Sequence, residues 1–382
     1  MTLKSITLSE LSDGLQDELA LLLSRGFPSD SADLWKKRFA YWWHANPYLS
    51  DDSLVGWYVF DEESSSIVGF LGKITAPYQY NDIYLNSGDA TSWYVMENMR
   101  EKYSAILYLA FNKDKTTDIY LNTTPASTIQ TMLQKTGYVK AGTYKIHNYM
   151  IISSLGSFSS MMSTLLHHFA DSETGWLQKA FLFASKTGHI ASKILPKAKP
   201  KPNLLLPETD GYKLRVCEDA ETFIRHYSAH KKGDTIELAR DKKTLDWIFY
   251  SPAVQELLHR KVVQVFSGGG EYCGYFIYDQ QHVGDVTTVR LRELKLLHPN
   301  NQQIKLILRY LKIEAKRQGC AAVYSGLQAV DDEVDKLLRK NIFLHLDTDN
   351  RYYVKFRKKA VTDVDPYSIY VPSDIDPDAG FI

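Results

Sequence analysis

The stretch SWYVMENMREKYSAILYL, Ser92 to Leu109, holds the residue types best suited to chemistry in this chain. Trp93, Tyr94 and Val95 form an apolar strand pattern. A polar turn with Arg100 follows, and then an apolar helix pattern. A strand running through a turn into a helix N-terminus is a natural anion site, because unsatisfied amides and the helix dipole both face the turn. Such turns are usually rich in glycine, which lets backbone approach a phosphate closely. Here Glu101, Lys102 and Tyr103 fill it. Arg100 and Lys102 supply positive charge; the same residues also fit an ordinary helix start with two solvated cations.

The elements that must position this turn are legible in outline. Helical patterns cover about Leu15–Ser24 and Ala32–His44, and strands about Leu54–Asp61 and Ile67–Lys73, joined by the polar turn EESSS. Asp89–Val95 continues the strand series. A helix follows near Tyr103–Asn112, then a strand DIYLNT, a helix near Ala126–Thr136 and a strand AGTYKIHNYMII. In the second half, Ile304, Ile307, Leu308, Leu311 and Ala315 share one helical face and Gly319 supplies the stop. The strand CAAVYSG follows directly, so a locally parallel sheet is expected.

A repeat organises the chain. WWHANP (Trp42 to Pro47) returns as WIFYSP (Trp247 to Pro252), 205 residues on. The hairpin LVGWYVFDEESSSIVGF matches KVVQVFSGGGEYCGYF, with Gly69 and Gly274 at the same offset, and LQKTGYV matches LRKNIFL. Between the copies, residues 153–210 read as an apolar helical piece followed by PKAKPKPN, an extended linker. The helical piece suits packing against the domains better than a membrane surface, because it also carries acids. Residues 359–382 read as a solvated tail.

The 382 residues suffice for two domains. Lys plus Arg and Asp plus Glu balance at 45 each, so nothing favours a nucleic-acid partner. Three scattered cysteines form no disulfide framework and no zinc site, which suits a reducing, cytoplasmic setting. His167 and His168 lack a second ligand pair, and SDIDPDAG lacks EF-hand spacing, so no metal is expected. The first residues lack a signal-peptide core, and no apolar run is long enough to span a bilayer.

This order of elements resembles the GCN5-related N-acetyltransferase superfamily, twice over. VMENMREKYSA supplies Val95, Arg100 and Ala105 where that family carries a strand-final Val and its Gln/Arg-x-x-Gly-x-Gly/Ala turn; Tyr103 stands at the first glycine. LNTTPASTIQTMLQKTGYVKAG matches the family's Asn-containing strand, helix and Lys-x-Gly-Phe/Tyr ending through Asn122, Lys135, Gly137 and Tyr138. In the second copy Gln302 is kept, while Lys305 and Ile307 replace both small residues. The resemblance implies an α+β fold of two tandem GNAT-like domains, residues 1–152 and 211–358, with mixed central sheets flanked by helices. It also implies acetyl-CoA or another acyl-CoA as donor and an amine as acceptor, such as an amino sugar or small metabolite.

By that resemblance the donor's phosphates would sit on Arg100, Glu101, Lys102, Tyr103, Ser104 and Ala105, with Asn122 near its arm. A bulge near Val95 and Met96 would open the strand edge, and backbone at Tyr94, Val95 and Met96 would bond the thioester carbonyl. Asp89 stands where some members carry the general base, though NSGDA also reads as a turn; Glu97 is a second candidate. The family's acid tyrosine falls on Leu133, which leaves Tyr138 or water as the acid. Two other functions remain open: a FemABX-type aminoacyl-tRNA-dependent transferase, which also doubles this fold, and a non-catalytic scaffold in which both sites have decayed.

Overall fold

Polar side chains start the helices, as the sequence pattern requires. Ser12 and Ser31 accept from the backbone N–H of Leu15 and Leu34, and Asp241 from Thr244, each meeting a donor that a helix N-terminus leaves open. The computed structural model describes residues 1–28, 30–81, 83–123, 129–152, 201, 211–227, 236–283, 286–320, 322–327, 332–342 and 344–357. The segment expected at 153–210, apart from Lys201, lies outside the described residues, and so does the tail expected at 359–382.

In chain order the first copy runs β1 (Thr2–Thr7), α1 (Asp13–Gly26), α2 (Ala32–Phe39), β2 (Leu54–Asp61), β3 (Ser66–Ile74), β4 (Pro77–Tyr80) and β5 (Ile83–Val95). It continues with α3 (Arg100–Asn112), β6 (Ile119–Asn122), α4 (Gln130–Lys135) and β7 (Val139–Ile152). The second runs β8 (Tyr212–Cys217), α5 (Ala220–Tyr227), β9 (Glu237–Leu238), α6 (Lys242–Leu245), α7 (Pro252–Leu258), β10 (Lys261–Ser267) and β11 (Tyr272–Val283). It ends with β12 (Val286–Leu296), α8 (Asn301–Arg317), β13 (Ala322–Leu327), α9 (Asp332–Asn341) and β14 (Leu344–Phe356).

The 205-residue offset survives at the level of register. In the hairpin β2–β3 the pairing slips between Val59 and Phe60, which leaves Val68 as the extra residue. In β10–β11 it slips between Val265 and Phe266, which leaves Cys273, 205 residues on. Tryptophan and proline repeat for a structural reason too. The expected helix Ala32–His44 is α2 followed by a π-helical turn, Ala40–His44; the second copy forms the same turn at Asp246–Tyr250.

By contacts the described chain forms two compact units. The first comprises residues 1–144, 231–257 and 349–382, the second 145–230 and 258–348. The chain therefore enters the second unit within β7, rejoins the first at residue 231, leaves it again at the end of α7 and returns within β14. In the first unit the sheet order is β1-β2-β3-β5-β6-β14. β5 and β6 are parallel; the remaining neighbours are antiparallel. One face packs on α3 through Trp57, Leu71, Leu107, Phe111, Tyr120 and Leu133. On the other, Trp43 lies edge-on to Phe70 and stacks on Phe39, and its indole donates to Lys73 C=O at 2.8 Å. Within this unit the indole of Trp247 donates to Tyr41 C=O at 2.9 Å, so the two π-helical turns are bonded together.

The second unit orders its strands β7-β13-β12-β11-β10-β8, with β12 and β13 parallel. Its core is aliphatic around α8: Ile304, Ile307, Leu308 and Leu311 pack on Phe276 and Leu291. Arg260 and Arg292 both donate to Asp279 Oδ2, and all three side chains are buried.

Two stability predictions follow from these cores. The buried Lys73 ammonium lies 2.6 Å from Asp114 Oδ2. Burial alone would raise the Asp114 carboxyl, but the charge and hydrogen bond of Lys73 and two bonds from Thr116 outweigh it and hold it below its ordinary value. Lys73→Met should cost about 3–5 kcal/mol in denaturant unfolding, because it strands a buried charge; Lys73→Met with Asp114→Leu should cost much less. Because the folded pKa is depressed, the pair's contribution is complete above the unfolded value near ~3.9 and is lost as pH falls through the folded one. The second concerns Gly274, at φ +145, where a Cβ would meet Lys295 O at 2.2 Å. Gly274→Ala should lower stability by at least about 1–3 kcal/mol, from backbone strain alone. At Gly69 a Cβ would meet only side chains, the nearest Val95 Cγ2 at 3.1 Å, so Gly69→Ala should cost less in the same measurement.

Candidate functional site

The parallel pair β5–β6 is short. Ser87, Gly88 and Asp89 pair with Ile119, Tyr120 and Leu121, and there the register ends. β5 runs on to Val95 beside β3, while β6 stops at Asn122. The two strands thus part at Asp89, leaving among the described residues a notch whose one wall is the edge of β5.

Backbone alternation decides what that edge offers. Met96 N–H donates to Val68 C=O at 2.9 Å, so residues 68 and 96 form a hydrogen-bonded antiparallel pair. The next such pair is Phe70 with Tyr94, and Gly69 with Val95 lies between them as a non-bonded pair. Val95 therefore turns its N–H and C=O away from β3, towards the notch. This corrects the expectation of three backbone donors: Tyr94 and Met96 face β3. The bulge is displaced as well. The register slips between Phe70 and Gly72, which puts the extra residue at Ser92 and Trp93, with Ser92 at φ +53.

The turn into α3 is a single 3-10 turn, Glu97–Met99, and Arg100 N–H donates to Glu97 C=O within it. Met99, the N-cap residue of α3, makes no side-chain cap. Arg100, Glu101, Lys102 and Ala105 are exposed around its first turn and Ser104 is half-buried. Tyr103, standing where the family pattern has glycine, turns inward and joins the core, with Lys102 Nζ 5.1 Å from its ring centre. The first turn thus stays clear of the bulk that its sequence suggested. The corresponding helix of the second unit differs. The Asn300 side chain accepts from Gln302 and Gln303 N–H, while Gln303 reaches back to Asn300 N–H. That capping box occupies the amides a phosphate would need.

The three expected catalytic residues are not gathered at one point. Asp89 is buried at the vertex of the notch, opposite Ile74 of β3 and Leu121 of β6, inside a continuous strand rather than a turn. It shares a sheet face with Thr91, the face that Trp43 covers. Glu97 is exposed on the 3-10 turn. Tyr138 is buried on the α3 face, its ring centre 5.8 Å from that of Tyr108. Burial pushes the hydroxyls of both Tyr138 and Tyr108 well above the ordinary phenol range. The two hydroxyls lie near each other and near Asn112, and neither makes a well-formed hydrogen bond among the described residues. Asn122 is buried at the end of β6, on the other wall of the notch.

Sequence reasoning missed two features here. Trp93, at the bulge, stacks on Tyr108 with ring centres 4.9 Å apart; the strand pattern gave no sign of its partner. Lys355 of β14 stands opposite Tyr120 of β6 through a pairing of residues far apart in sequence. Among the described residues no three His, Cys, Asp or Glu side chains come together to hold a metal, and no helix is long and apolar enough to cross a membrane.

No family model matches the sequence, and no curated protein sequence matches it. Solved structures do match. Saccharomyces cerevisiae N-myristoyltransferase with bound myristoyl-CoA aligns over 97% of this chain and 85% of its own, at 13% identity and a TM-score of 0.58. A conserved protein of unknown function from Enterococcus faecalis V583, titled a probable N-acyltransferase, aligns over 96% of this chain and 73% of its own, at 11% identity and a TM-score of 0.52. At such identities the likeness is one of fold. The chain has the α+β fold of two tandem GNAT-like domains, with mixed sheets flanked by helices.

Proposed function

We propose that this protein is an N-acyltransferase that moves an acyl group, acetyl in the simplest case, from acyl-CoA to an amine such as an amino sugar or small metabolite. The observation that carries this reading is the notch beyond Asp89, towards which Val95 turns its backbone N–H and C=O, beside a helix N-terminus whose N-cap residue, Met99, makes no side-chain cap. The fold shared with N-myristoyltransferase supports it. The tandem copies are taken as residues 1–152 and 211–358, joined by 153–210 and followed by a tail, and the free cysteines suit a cytoplasmic setting.

The residues fit an anionic thioester donor in the first copy. Arg100 and Lys102 stand exposed at the N-terminus of α3, where the helix dipole also favours negative charge. The donor's arm adds along this edge of β5 as an extra strand would. Val95 N–H bonds the thioester oxygen, which gains negative charge as the amine adds. Asp89, at the vertex, takes the proton that the amine must lose. In the second copy the capping box on α8 closes the equivalent amides. A non-catalytic binding role is the second reading, favoured by Trp93, Tyr108 and Tyr138, which fill the α3 side of the sheet.

Arg100→Glu should weaken acetyl-CoA binding by about 1–3 kcal/mol in isothermal titration, the range of a charge-assisted contact. Equal affinity in variant and parent would remove Arg100 from the site, and no binding to the parent would favour the second reading. Asp89→Asn keeps size but cannot accept a proton. It should slow acyl transfer to an amine by about a hundredfold to ten-thousandfold with donor affinity nearly unchanged. Loss of donor binding in that variant would mark Asp89 as structural.

A further inference from the structure

Lys355 plays no part in the transfer described above. It lies near the end of β14, opposite Tyr120 of β6. Its Nζ donates to Asn112 Oδ1 at 3.3 Å and lies 6.0 Å and 5.7 Å from the ring centres of Tyr120 and Tyr138. Its Cε passes Gly137, where a Cβ would stand 3.9 Å away, in ordinary contact.

None of these neighbours is acidic. Asn112 of α3 is a neutral amide. Burial pushes the Tyr120 hydroxyl up to about 12 and that of Tyr138 well above the ordinary phenol range, so both phenols stay neutral. Lys73, on the same face of the same sheet, shows the ordinary arrangement, a buried ammonium closed by a carboxylate. Lys355 instead keeps a half-buried amine with nothing anionic to hold its proton among the described residues. Desolvation accordingly lowers its pKa. A lysine so placed presents more free amine at neutral pH than a solvated one, and its partial exposure keeps it within reach of reagents.

We propose that Lys355 is a self-acylation site, taking an acyl group from acyl thioesters ahead of the chain's solvent-exposed lysines. The amine lone pair attacks the thioester carbonyl carbon. A C–N bond forms and the C–S bond breaks. The nitrogen gives its proton to water, and the thiolate leaves and is protonated. The product is a neutral amide whose remaining N–H can keep the bond to Asn112 Oδ1 and whose uncharged head suits the flanking rings better than an ammonium does. The inference goes beyond the transferase reading, since it needs only a thioester in solution.

The test uses the full chain and the acetyl thioester of N-acetylcysteamine, which carries no nucleotide and so bypasses any donor site. Limited labelling at neutral pH, read residue by residue by peptide mass spectrometry, should show Lys355 acetylated severalfold ahead of the exposed Lys102, Lys113 and Lys135. Asn112→Asp places a carboxylate beside Nζ and should abolish that lead without slowing the other three. In parent protein unfolded in urea the four rates should converge, which keeps the test decisive if the variant does not fold. Equal labelling in the native chain, a lead that survives Asn112→Asp, or a lead that persists in urea would each overturn the assignment.

Discussion

The site depends on one constraint: β5 and β6 can pair for three residues only. Beyond Asp89 and Leu121 the bulge at Ser92 and Trp93 bends β5, and β6 ends a single residue later. A strand edge that loses its partner inside a protein keeps N–H and C=O groups that must be met by something else. Because pairing with β3 alternates, Val95 directs both of its groups there while Tyr94 and Met96 turn theirs to β3. The position of one bulge therefore fixes which amide faces the notch, which residue is its vertex and which face Asp89 occupies.

The two copies keep the same skeleton while their chemistry diverges. Bulged hairpins recur at Val68 and Cys273, and β12 likewise parts from β13 after Leu291 and Ser325 while running on beside β11. Yet Asn122, the residue after the last pairing of β6 with β5, corresponds to Gly326 of β13, and the N-terminus of α3 without a side-chain cap from Met99 corresponds to the capped one of α8. Around the second notch Leu291, Leu308, Leu311 and Val323 leave a void of about 10 Å³, room for roughly one water. A repeat conserved by packing does not need conserved chemistry: packing needs shape and apolar volume, whereas an anion site needs free amides.

Buried charge sets the limits of this packing. Lys73 with Asp114 in the first unit, and two arginines on Asp279 in the second, are carried inside sheets whose other inward residues are mostly apolar. Such pairs contribute little net stability over apolar residues of equal volume, but losing one member strands the other. Lys355 differs from these pairs: it is a partly buried cation held by the neutral Asn112, and desolvation lowers its pKa.

Local sequence determined the elements and their repetition. Periodicity gave α8, alternation gave the β2–β3 hairpin, and the recurrence of Trp, Pro and Gly gave two copies, because these signals depend on residues close in the chain. The turn at Arg100 and the candidate residues Asp89 and Asn122 were legible through the family pattern. What only the tertiary structure decided is which of them face one another. NSGDA reads locally as a turn, yet pairing with β3 on one side and β6 on the other makes it strand. Tyr103 reads as an obstacle, yet an apolar core draws its ring inward and clears the first turn of α3. Lys355 carries no local signal at all, because its neighbours Asn112, Tyr120 and Tyr138 meet it through a strand pairing that spans most of the chain. Register and facing are properties of pairs, and a sequence read along its own length contains only one member of each pair at a time.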